Sequence, residues 1–218
     1  MVIVYFIHDH LLFVGNDKFE NDGLIKYSQR YMKELNSQVL WFHVDDLSSP
    51  HAYVRLNEGE KEPPQILVQL CAQIVKNGSI EGVKRPAVDV IYTSCSNLTK
   101  NKAMKVGQVS FLPGAQVITV HGVRKDNNLL RQLEKVKQIQ DLVQMERELD
   151  DLIHNSRKKK GNSDKNKDDF DDWGDNDDND WGDDIGDDTN GKTTKNLKDQ
   201  MADVPKAEFS TNLEDDFM

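Results

Sequence analysis

The chain has 218 residues, 37% of them apolar, and a formal net charge of −10; that apolar share is thin for a single fully folded unit of this length. Both features are local. Residues 1–160 carry 22 Lys and Arg against 19 Asp and Glu (+3), and residues 161–218 carry 6 against 19 (−13), so the acidity belongs to the carboxyl-terminal stretch and not to the surface of the rest. Cys71 and Cys95 are too few for a disulfide framework and lack zinc spacing. Val2–Ile7 is far short of the roughly 18 to 20 apolar residues of a membrane span. The expectation is a chain without transmembrane segment, metal or cofactor, placed in the cytoplasm with the nucleus as the alternative.

Val2–Ile7 and Leu11–Val14 are β-rich runs around a short polar turn, which predicts an opening hairpin. Asp17 followed by Glu20 has capping-box spacing, and Leu24, Tyr27, Tyr31 and Leu35 recur at three and four, predicting a helix that ends near Leu35. Val39–Val44 and Ala52–Leu56 are the next strands, joined across Ser48-Ser49-Pro50. Pro63-Pro64 opens a helix striped by Leu67, Leu70, Cys71 and Ile74, which Asn77-Gly78 ends. Strands are predicted at Ala87–Thr93, Val106–Leu112 and Ala115–His121, then one helix over 127–157 whose apolar seam is interrupted at Gln140 and Glu146. Residues 168–188 hold twelve aspartates and no basic side chain, with Asp-Trp-Gly-Asp at 172–175 and again at 180–183. Such composition cannot offset the roughly 1 to 2 kcal/mol of backbone entropy each residue loses on folding, so disorder is expected.

Three constellations carry chemistry. Gly15-Asn16-Asp17-Lys18 precedes a helix start, where freed amides and a lysine suit a phosphate, but any strand-to-helix turn needs the same residues. His43 and Asp45 share one face of a strand and His51 opens the next. That trio suits a metal or acid-base pair, but alternate strand residues beside a serine turn more often hydrogen-bond one another or carbonyls, so a polar scaffold or ligand contact is the expectation. Lys84, Arg85, Lys100, Lys102 and Lys105 face a single acid, Asp89, over the same interval, the local excess that binding a polyanionic backbone requires. Trp41, Phe42 and Tyr92 are aromatics for base stacking or for a core.

The motifs VGNDKFENDGLIKY (14–27), WFHVDDLSSPHAYVRL (41–56), SIEGVK (79–84), VIYT (90–93) with NLTKNKAM (97–104), VGQVSF (106–111) and LLRQLEKVK (129–137) together resemble the stand-alone NFACT-R proteins, the coiled-coil domain-containing protein 25 family. The resemblance implies a nucleic-acid-binding domain, since relatives inside ribosome quality-control factors contact tRNA and an animal member is described as a DNA-sensing membrane receptor. Carried over by motif, the contact segments are Asn16 to Lys18 with Asn21, then His43 with Ser48, Ser49 and His51, then Lys100 to Lys105. Where many members have Pro-Trp, this chain has Ser94-Cys95.

The expected fold is α+β: one nucleic-acid-binding domain over 1–125 with a mostly antiparallel sheet flanked by helices, a C-terminal helix over 126–157 that either packs back on the domain or pairs with a partner as a short coiled coil, and a disordered acidic tail over 158–218. The expected function is non-catalytic binding of structured, tRNA-like RNA through its backbone, in translation or ribosome quality control. DNA binding is one alternative, and a protein partner recruited by the C-terminal helix or the acidic tail is the other.

Overall fold

The structure is a computed structural model that describes residues 1–101 and 103–165, with side chains followed to residue 158. Val2–Ile7 (β1) and His10–Val14 (β2) form the expected hairpin, and Lys18–Leu35 (α1) follows. Asp17 caps α1 by accepting from the amides of Phe19 at 2.8 Å and Glu20 at 2.9 Å, while Glu20 reaches back to the amide of Asn16 at 2.8 Å. Val39–Val44 (β3), Ala52–Arg55 (β4), Gln65–Gly78 (α2) and Ala87–Ser94 (β5) complete the first half of the fold.

Leu98–Thr99 (β6) and Ser110–Phe111 (β7) pair as a separate ribbon, and Ile118–Arg124 (β8) returns to the main sheet. The strand expected over 106–112 is therefore cut to two residues, because Gly107 adopts φ 83° inside a turn closed by the Gln108 amide on the Lys105 carbonyl at 3.0 Å. Asn127–Val136 (α3), Lys137–Gln140 (β9) and Leu142–Lys165 (α4) end the described chain. The single helix expected over 127–157 is thus two helices around a strand. Lys137–Gln140 pairs antiparallel with Val2–Tyr5, and a hydrogen-bonding β1 edge outweighs local helix propensity.

The main sheet runs β8-β5-β3-β4-β2-β1-β9 and every pairing is antiparallel. Antiparallel sheets commonly leave one face wet, but this one is covered on both. On one face Tyr5, Leu12, Phe42 and Val54 meet Leu67, Leu70 and Cys71 of α2 and Leu129 and Leu133 of α3. On the other, Val4, Phe13, Trp41 and Tyr53 meet Leu24 and Tyr27 of α1 and Met145, Leu149 and Ile153 of α4. Burying a large aliphatic side chain contributes about 1.5 to 3 kcal/mol, so these residues anchor residues 126–153 to the domain instead of leaving them as an appendage.

Helix α4 lies beside α1 and runs the same way. Leu142 sits where a Cβ on Gly23 would be only 2.5 Å from its Cδ2, Asp150 accepts from Arg30, and Arg157 bonds Glu34 at 2.8 Å. The seam through Met145, Leu149 and Ile153 is therefore committed to this chain's own core. Among the described residues no helix is long and apolar enough to cross a membrane. The acidic tail and its Asp-Trp-Gly-Asp repeats lie outside the described residues.

Candidate functional site

Where β2 passes into α1, two connections converge on it: the β3–β4 turn and the loop that follows α2. Together they enclose a cleft of about 450 Å³. Asn16, Lys18 and Asn21 line it from the start of α1, and His43, Ser48, Ser49 and His51 line it from the β3–β4 side. Seven of the residues singled out in the sequence, from two distant segments, thus share one concavity.

Pro50 of the same turn lines it too, but the sequence does not anticipate Gly78, Ile80 after α2, or Val106 with Gly107. Close approach explains the glycines. A Cβ on Gly15 would fall 2.3 Å from Asn21 Oδ1, one on Gly78 2.5 Å from Pro50, and one on Gly107 2.8 Å from the Lys18 Cβ. Ser79 donates to the Ser48 carbonyl at 2.6 Å, tying the end of α2 to the serine turn, and Ser49 Oγ accepts from the Val44 amide at 3.1 Å.

The phosphate-at-amide expectation does not hold for three of the amides around the start of α1. Those of Asn16, Phe19 and Glu20 are already bonded to carboxylates, and a carboxylate at that spot repels an anion. Apart from Asp17 and Lys18, which offset each other, the cleft is instead a set of uncharged groups. His51 is buried beside His43, with ring centroids 5.3 Å apart, and its Nδ1 lies 3.5 Å from Tyr53 Oη. Burial, aided by His43, pushes the His51 imidazole down to about 3, and burial also lowers His43, so both are neutral near pH 7. Asn21 Oδ1 is buried and has no protein partner among the described residues. An effective general base has a pKa near the working pH, which His51 does not. Asp45 lies outside the cleft lining and its amide is bonded to the Asp89 carbonyl at 2.9 Å. Among the described residues no group of three His, Cys, Asp or Glu is placed to hold a metal ion.

The basic interval does not act as one block. Lys100 is ion-paired to Asp22, which also accepts from the Gly107 amide at 2.9 Å. Burial alone would raise the Asp22 carboxyl, but Lys100 and that amide together hold it below its ordinary value. Lys105 is exposed on the same loop, and Lys102 lies outside the described residues. Lys84 and Arg85 are exposed at the end of a 3-10 turn, Gly82–Lys84, that the buried Lys76 holds by donating to the carbonyls of Gly82 at 3.0 Å and Arg85 at 2.9 Å.

Of the aromatics considered for stacking, Trp41 is 2% exposed and Phe42 fully buried, and Tyr92 stacks on Phe42 at 4.9 Å. Phe19, which sequence reasoning passed over, is 66% exposed with the Lys18 ammonium 5.3 Å from its ring.

Comparison with known proteins matches residues 1–112 to the family described as NFACT protein RNA binding domain. The chain is 37% identical to the coiled-coil domain-containing protein 25 homolog of Dictyostelium discoideum over 67% of its own length and 65% of that protein's. It is 39% identical to coiled-coil domain-containing protein 25 of Bos taurus over 69% and 70%. It spans about two thirds of the length of these relatives. Among solved structures it is similar to the C-terminal part of the fibronectin/fibrinogen-binding protein from Streptococcus suis, at 19% identity and TM-score 0.46 over 60% of this chain and 48% of that one.

Proposed function

Because the chain belongs to the NFACT RNA-binding domain family, we propose that it binds structured RNA, tRNA-like stems first, through sugar and phosphate groups and without catalysis. One observation carries this: the cleft offers uncharged hydrogen-bonding groups, with the exposed Asn16 side-chain carbonyl and Ser48 hydroxyl among them. A 2′-hydroxyl is a donor that such an acceptor takes up and that DNA lacks. Neutral imidazoles and serine hydroxyls complete the set, while Lys18 supplies charge and Phe19 a face for an unpaired base. Lys84, Arg85 and Lys105 add attraction without sequence preference. Ribosome quality control in the cytoplasm is the setting in which such a domain meets tRNA.

The test compares a tRNA transcript with its DNA copy. Preference for the RNA by about tenfold, roughly 1.4 kcal/mol, is expected, and equal affinity overturns the role of the 2′-hydroxyl in favour of a DNA-binding protein. Asn16→Ala combined with Lys18→Gln, both exposed, should weaken RNA binding while leaving the melting temperature in place. Unchanged affinity would remove the cleft from the interface.

A further inference from the structure

A second concavity of about 560 Å³ adjoins the first, and the two share Gly15, Asn16, Pro50 and Gly78 in their walls. The dividing ridge is low because two of those residues have no side chain, and each is packed so tightly, Gly15 on Asn21 and Gly78 on Pro50, that none fits. Beyond the ridge the furrow is floored by Ile3, Val14, Ile74 and Leu130 and edged by Lys125, Arg131 and Lys137. Glu134 is the one carboxylate in that lining and pairs with Lys137 at 3.2 Å. The furrow thus keeps a net positive edge, where the first cleft balances Lys18 against Asp17.

The cations stand on fixed supports. Gln73, buried on α2, donates to the Arg124 carbonyl at 2.7 Å and accepts from the Asp126 amide at 2.9 Å, clamping the backbone on both sides of Lys125. Asp126 caps α3 by accepting from the amides of Asn128 and Leu129, which holds Arg131 one turn further on. Lys137 opens β9 in register with Tyr5. All three lie beyond residues 1–112, the stretch matched to the family.

We propose that this furrow continues the RNA-binding surface, its cations taking successive phosphates of the strand whose sugars occupy the first cleft. The proposal rests on the RNA-binding reading, deepens it, and commits to an RNA backbone as occupant on grounds of continuity and charge.

The experiment measures affinity of the full chain for a tRNA transcript across a salt series, for wild type, Lys18→Gln, and the triple variant Lys125→Gln, Arg131→Gln, Lys137→Gln. The triple variant should lose at least about tenfold at low salt, and the slope of log affinity against log salt should flatten by about 2, since each neutralised phosphate contact contributes roughly 0.7 to 0.9. A triple variant matching wild type while Lys18→Gln weakens binding overturns the furrow and leaves the first cleft standing. Failure of the wild-type chain to bind overturns the RNA reading itself. Should the triple variant fail to fold, wild-type chain crosslinked to thiouridine-substituted tRNA decides. Crosslinks within residues 125–137 support the proposal, and their absence from that stretch, with crosslinks at 16–21 present, overturns it.

Discussion

The Asn16–His51 cleft and the Lys84–Lys105 interval contain all the residues marked in the sequence for nucleic-acid contact, yet they are opposite kinds of surface. The cleft is concave, close to neutral, and held by hydrogen bonds and glycine contacts. The interval puts long side chains into solvent and ties one of them, Lys100, to Asp22. A fixed neutral cleft selects by fit, because its groups lose little freedom on binding and are weakly screened. Exposed cations attract any polyanion, and salt weakens them. On the proposed function, selection and attraction are divided between two parts of the molecule, and the division can be tested by damaging each separately.

The largest effect is expected from Gly15→Val. With a Cβ placed 2.3 Å from Asn21 Oδ1, the buried Asn21 has to move, at a cost of about 1 to 3 kcal/mol. Thermal melts should show a lower midpoint, and tRNA affinity should fall more than about tenfold. The salt slope of whatever binding remains should match wild type, because no cation has been displaced; a flattened slope would break the division.

Acidification comes next. His51 sits at about 3 in the fold against roughly 6.5 when unfolded. A depressed base stabilises the fold fully above the unfolded value and progressively less as pH falls towards the folded one. Between about pH 7.5 and about pH 5 this single group removes roughly 2 kcal/mol, visible in urea melts and abolished in His51→Gln. RNA affinity of the folded wild-type chain should not track this loss over the same range, since the His51 imidazole gains no charge there.

The smallest effects belong to the basic interval. Lys84→Gln, Arg85→Gln and Lys105→Gln together should reduce affinity a few-fold and flatten the salt slope by about 2. Lys100→Gln with Asp22→Asn removes a pair of zero net charge and should leave the slope where it was.

Most strands and the first two helices were legible because their signals are local. Asp17 and Glu20 announce a cap, and Leu24, Tyr27, Tyr31 and Leu35 announce a helical face. The stretch 127–157 reads locally as one helix because its decisive partner, the edge of β1, lies over a hundred residues away. The break in the apolar seam at Gln140 was the trace of it. In the cleft, polar residues stood out in the sequence, whereas Gly78, Ile80 and Gly107 are defined only by what they touch. Nor does sequence separate a free lysine from one engaged by a distant carboxylate, as Lys100 is by Asp22 across 78 positions.

The parallel seating of α4 on α1 has a geometric outcome. Leu142 meets α1 near its beginning, beside the cleft, and Arg157 meets it at Glu34, near its end. Since the 18 residues of α1 measure about 27 Å, α4 acts as an outrigger braced along most of that length. The two ends of α4 are thus differently placed: the first touches the helix start that lines the cleft, and the Arg157 end touches only the far end of the same helix.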